Sequence, residues 1–129
     1  MFLTILGASA LIALILVVVV VRRLCGRRLP SAAKKKFLMQ WESLGGIDDV
    51  ARRVLEADSI LDKALSALGY EGSLGEKFKK AGPRFSDLNA VWSAHKLRNQ
   101  IAHEPGMHVP KEDSDRAVSR LRHAFDDLC

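Results

Sequence analysis

Residues 98–103 read Arg98-Asn99-Gln100-Ile101-Ala102-His103. A guanidinium, a carboxamide and an imidazole this close together can do acid–base chemistry on a phosphate. The arginine would balance charge developing on the phosphoryl oxygens, and the imidazole would carry a proton to or from an oxygen. The carboxamide would orient the reacting group between them. Such work requires the three groups to be held in place by a stable element.

That element is predicted to be a helix from about residue 86, with Ser86 as its cap, to about residue 104, where Pro105-Gly106 stops it. With Leu88 at zero and about 100° per residue, Asn89, Ser93, Lys96, Gln100 and Glu104 share one solvated arc. The remaining arc is apolar and wide, carrying Leu88, Val91, Trp92, Ala94, Leu97 and Ile101, so the helix is expected to be central. Arg98, His95 and Asn99 point into this arc, and His103 sits at its edge. A charge turned inward is costly unless it is paired. Arg98 therefore either meets an acid from another helix, such as Asp58 or Asp62, or belongs to a site at a subunit interface. His95 is read as packing or support for that site.

The hexapeptide resembles the Arg-x(4–6)-His motif of HEPN domains (higher eukaryotes and prokaryotes nucleotide-binding), in which the second position is usually polar, as Asn99 is here. The resemblance covers most of residues 37–128. It implies an all-α bundle with the motif late in a core helix. In catalytic members it implies metal-independent RNA cleavage, in which a ribose 2′-OH attacks the adjacent phosphate. By that analogy His103 is the acid or base, Arg98 the phosphate clamp and Asn99 the positioning group. One histidine does not easily act as acid and base in one turnover, and the family answers this with a dimer. Many HEPN domains are instead non-catalytic dimerisation or partner-binding modules.

The other elements are also helical by periodicity. A first domain helix is expected from Ser31, as cap, to Leu44, ended by Gly45-Gly46. The longest carries Val50, Val54, Leu55, Ile60, Leu61, Leu65 and Leu68, with Asp48 and Asp49 at its start and Gly69 at its end. A short helix over residues 74–80 stops at Gly82-Pro83. A last one starts near Pro110, with Val118, Leu121, Phe125 and Leu128 on one face. No segment alternates like a strand. The expected fold class is all-α, a four- or five-helix bundle preceded by one transmembrane helix.

Residues 1–21 carry no charged side chain, and Arg22 and Arg23 follow at once. An apolar helix of about 20 residues matches the hydrocarbon core of a bilayer, roughly 30 Å. A cleaved signal peptide would need a basic start and small residues at its end; instead, β-branched residues fill positions 17–21. Residues 1–21 are thus read as an uncleaved anchor and residues 22–36 as a basic juxtamembrane collar containing a hinge at Leu29-Pro30-Ser31. Residues 37–129 are read as the helical domain.

The chain has 20 Lys and Arg against 15 Asp and Glu, net +5. Seven of the basic residues are in the collar: Arg22, Arg23, Arg27, Arg28, Lys34, Lys35 and Lys36. The domain is left with 13 basic and 15 acidic residues, net −2. Hence the basic character belongs to anionic-lipid contact and to topology, at about 1 kcal/mol per residue near the surface. It places the N-terminus outside and the domain in the cytoplasm, at the cell membrane, and gives no licence for a general nucleic-acid binder.

Lys77, Lys79, Lys80, Arg84 and Lys96 are the remaining basic set that could contact RNA or another phosphate. Aromatic residues able to stack on bases are few. His95, His103, His108 and Glu104 lack a familiar metal spacing, and there is no phosphate-binding glycine loop, so no metal or cofactor is expected. Cys25 and Cys129 are read as free thiols. Together these features lead to the expectation of a single-pass membrane protein with a HEPN-like binding or dimerisation domain, its expected partners being the membrane and a second copy, with RNA a further candidate. The alternatives are a HEPN-type ribonuclease acting as a dimer and a structural membrane scaffold.

Overall fold

The N-terminal apolar run folds as α1 (Phe2–Gly26). It is long and apolar enough to cross a membrane over Phe2–Arg23, with a mean hydropathy of 3.0 and no burial against the rest of the chain. The structure is a computed structural model that describes residues 1–129, apart from the side chains of Leu24 and Cys25. The free-thiol expectation for Cys25 lies outside the described residues. Five further helices follow: α2 (Ser31–Ser43), α3 (Val50–Ala67), α4 (Leu74–Ala81), α5 (Leu88–His103) and α6 (Lys111–Asp127). Short 3₁₀ turns occupy Leu44–Gly46 and Gly82–Arg84. Among the described residues there is no strand, and the protein is an all-α bundle with one apolar N-terminal helix.

Local chemistry explains the boundaries. The Asp49 carboxylate caps α3 by accepting from the amides of Ala51 at 3.0 Å and Arg52 at 3.3 Å. At the other end the Tyr70 amide bonds the Leu65 carbonyl and the Gly69 amide that of Ser66. This closing pair needs a left-handed residue, supplied by Gly69 at φ 96°. Two expected caps shift by one residue. Pro30 occupies the cap position of α2, so Ser31 lies within the helix and makes no capping bond. Asp87 caps α5 through the Ala90 amide, 3.0 Å away, because Ser86 is drawn off by α6. The Ser86 amide and hydroxyl both donate to Asp127, at 2.9 and 3.0 Å.

The centre of the bundle is α3, not α5. Val54, Ala57, Leu61, Ala64 and Leu65 are wholly enclosed, with α2, α5 and α6 packed around them. From α5 only Val91 and Ala94 are fully buried; Leu88, Trp92, Leu97 and Ile101 are half-covered and Ala102 is exposed. The apolar arc of α5 is thus wider than the surface the bundle gives it. Phe125 of α6 joins Phe37 and Trp41 of α2, with ring centroids 6.1 and 5.8 Å away. Buried Ser114 donates to the Val50 carbonyl at 2.7 Å, tying α6 to the start of α3.

The collar also departs from expectation. Helix α1 runs on through Arg22 and Arg23 to Gly26, since nothing in that stretch breaks a helix. Leu29, expected in a hinge, is a core residue with 7% exposure. Arg84 donates to the carbonyls of Arg27 and Leu128 and so joins the end of α1 to the end of α6.

Candidate cleft between α3, α4 and α5

His95 and Arg98 are three residues apart on α5, hence on one face of it. Both reach Asp58, in the middle of α3. His95 Nδ1 is 3.0 Å from Asp58 Oδ1, and Arg98 Nε is 3.3 Å from Oδ2. The Asp58 side chain is only 5% exposed, so the carboxylate is surrounded by protein and balanced by α5. The second contact is an ion pair by distance, but Nε is not aligned for a hydrogen bond and makes none. Arg98 Nη1 donates to Asn99 Oδ1 at 3.2 Å, and 38% of the Arg98 side chain remains exposed.

An aromatic floor fixes the imidazole. The Phe78 ring of α4 meets His95 edge-on at 5.3 Å and Trp92 at the same distance. Phe78 is fully enclosed, so the wall is stiff. Above it opens a cleft of about 530 Å³ lined by Asp58, Ser59, Asp62, Ser73, Leu74, Gly75, Trp92, His95, Arg98 and Asn99. A neighbouring hollow of about 520 Å³ shares Trp92, His95 and Asn99 and adds Asn89, Ser93 and Lys96. The two form a grooved surface along α5, polar over the cleft and more apolar over the hollow, with the half-buried Trp92 indole between them.

Of the motif residues, the structure gathers Arg98 and Asn99 in this cleft and leaves out His103. His103 is the last residue of α5 and is exposed. Five residues of helix separate it from Arg98 by about 140° in rotation and roughly 7.5 Å in height. Within one chain the two side chains therefore leave the helix in different directions.

The expected phosphate-contacting set is also divided. Lys77 is not a surface residue: it is buried, with its ammonium 2.6 Å from both Asp62 and the Ser66 hydroxyl. The four methylenes of lysine let it lie on the inner face of an amphipathic helix while its charge meets α3. Arg84 is engaged by backbone carbonyls, as described. Lys79 and Lys80 are exposed in the last turn of α4, where Lys80 donates to the Glu71 carbonyl at 3.2 Å. Lys96 is exposed on the hollow. The collar residues Arg22, Arg23, Arg27, Arg28, Lys34, Lys35 and Lys36 all face solvent.

Asp58 was legible only as one of two acids able to meet Arg98. The signal that singles it out is its place on the apolar face of α3, beside Leu61 and Ala57, where an aspartate needs a cation. Ser59 and Ser73 in the cleft carried no signal. Among the described residues no three His, Cys, Asp or Glu side chains gather as a metal site would require. No family model matches the chain, and no curated protein or solved structure matches it.

Proposed function

We propose that the protein is a single-pass membrane protein that presents a small HEPN-like helical domain to the cytoplasm as a binding and dimerisation module. One observation carries this reading over that of an enzyme: Arg98 is already engaged by a buried carboxylate of its own chain. A phosphate would have to compete with Asp58 for the guanidinium, at 3.3 Å and in a poorly solvated setting. A ribonuclease needs that guanidinium free for charge that develops on substrate. The half-covered Trp92, Leu97 and Ile101 give α5 the surplus apolar surface that a second copy would use.

The exposure of His103 favours a second reading, a metal-independent ribonuclease of HEPN type acting as a dimer. There His103 would carry the proton, the solvent-facing part of Arg98 would clamp phosphate, and Asn99 would position it.

The two are separated with the full chain in nanodiscs, labelled RNA and EDTA. The binding reading expects no cleavage by wild type beyond that of Arg98→Ala and His103→Ala. Cleavage by wild type that both substitutions abolish overturns it in favour of the enzyme. Crosslinking of the same samples tests the dimer: wild type is expected to crosslink and Ile101→Glu to remain monomeric.

A further inference from the structure

By sequence, Lys79 and Lys80 belong with the other basic residues of the domain. In the structure they belong to a different neighbourhood. The last turn of α4 carries both, and α4 is in contact with α1. The 3₁₀ turn that follows places Arg84 on the carbonyl of Arg27. Gly26 and Arg28 line one cleft with Arg84, Asp127, Leu128 and Cys129, so the ends of α1, α4 and α6 meet at one edge of the domain.

The distance to the membrane follows from the chain itself. Arg27 is four residues past the apolar span, which ends at Arg23. Even fully extended, four residues cover about 14 Å, and as helix about 6 Å. Arg84 is bonded to Arg27, and α4 itself is in contact with α1. Headgroups extend about 5–7 Å beyond the hydrocarbon, and a Debye length at physiological salt adds about 8 Å. The end of α4 thus falls within reach of the surface field of the leaflet from which α1 emerges.

The charges at this edge have one predominant sign. Lys79 and Lys80 are exposed, as are Arg22, Arg23, Arg27 and Arg28. Two acids lie close by, Glu76 one turn earlier on α4 and Glu71, whose carbonyl Lys80 holds, while Asp127 is occupied by the amide and hydroxyl of Ser86. We propose that the last turn of α4, through Lys79 and Lys80, is a second lipid-contacting surface, continuous with the collar, which lays the helical domain against an anionic bilayer. The proposal rests on the reading of α1 as a membrane anchor. Lys79 and Lys80 are then lipid-facing, not RNA-facing, and the α5 groove is left as the surface open to other partners.

Hydrogen exchange on the full chain, in nanodiscs of phosphatidylcholine with or without phosphatidylglycerol, tests this. The expected result is exchange over residues 77–84 slowed by up to roughly thirtyfold in the anionic discs, since two lysines act there. High salt and Lys79→Glu/Lys80→Glu should each remove the difference, whereas Lys63→Glu, an equal type of charge change on α3, should leave it. Equal exchange in both lipids overturns the proposal. So does slowing that appears only when single-stranded RNA is added to neutral discs. Extraction by alkaline carbonate is run alongside. A chain that carbonate strips from membranes refutes the anchor, and the proposal with it; a chain that resists carbonate but exchanges equally refutes the lipid contact alone.

Discussion

Asp58 and His95 are bound side chain to side chain across α3 and α5, Oδ1 to Nδ1, at 3.0 Å. The same carboxylate is also paired with Arg98, so one buried aspartate sets the position of two polar residues of α5. The pair fixes how α5 sits on α3. Alternative rotations of α5 would strand an aspartate among Ala57, Leu61 and Phe78.

Asp58→Ala is therefore expected to be among the most damaging single changes in the domain. It removes the shared partner of His95 and Arg98 and leaves a small cavity, for a loss of about 2–4 kcal/mol. Urea unfolding of the full chain in mild detergent, followed by circular dichroism, measures this. A loss below about 0.5 kcal/mol, the range of ordinary surface changes, would contradict the central place given to Asp58.

Arg98 and His103 should separate in the same assay. Arg98→Ala is expected to cost about 1 kcal/mol, reduced from the cost of a wholly buried pair because the side chain is 38% exposed. His103→Ala should fall within about 0.5 kcal/mol of wild type. Equal losses for the two would mean that His103 has contacts comparable to those of Arg98.

Lys77→Ala should destabilise the domain by about 1–3 kcal/mol, since it removes a buried ammonium from Asp62 and Ser66 and opens space beside Phe78. Lys79→Ala should have almost no effect on stability. Thermal unfolding of the two variants side by side checks the contrast, and a neutral Lys77→Ala would return that lysine to the surface set.

The Cys129 thiol is held above its ordinary value of 9.0, first by burial and then by nearby Asp126, against the opposing pull of Lys34, Arg122 and Arg84. The neutral thiol is the favoured form, and its hydrogen points to the Phe125 carbonyl at 3.5 Å. The sign follows: this contribution to stability is fully present below pH 9 and is lost as pH rises through the higher folded value. Alkylation by iodoacetamide, which needs thiolate, should be slow at pH 8 and should keep climbing past pH 9 before it levels off, in a Cys25→Ser background. Rapid alkylation at pH 7 would contradict it.

The bundle was readable because helical periodicity repeats over many residues. Val54, Leu61 and Leu65 announce a buried stripe that no single exception can hide. The site was half readable. Inward-facing Arg98 demanded an acid, and Asp58 was one of two within reach, but only the packing of α3 on α5 chooses between them. The burial of Lys77 is not legible in the sequence, because a lysine at the edge of an amphipathic helix looks the same whether its ammonium meets water or Asp62. Leu29-Pro30-Ser31 suggested a hinge because proline and serine favour irregular chain; the contact that buries Leu29 comes from residues distant in sequence. The lesser rank of α5 is hidden from the sequence for a related reason. A wide apolar arc shows how much surface a helix could bury, not how much its neighbours supply.

Arg84 grips the end of α1 and the end of α6 at once, and Leu29 is sunk into the core only three residues past Gly26. Little free chain remains between span and bundle. Turning α1 about its axis, or sliding it along the bilayer normal, must carry the domain with it or tear Leu29 from its seat. On the proposed reading of α1 as an anchor, helices that pair within the lipid would thereby set the angle at which their two domains face each other, and the bilayer would act as a jig as much as a mooring.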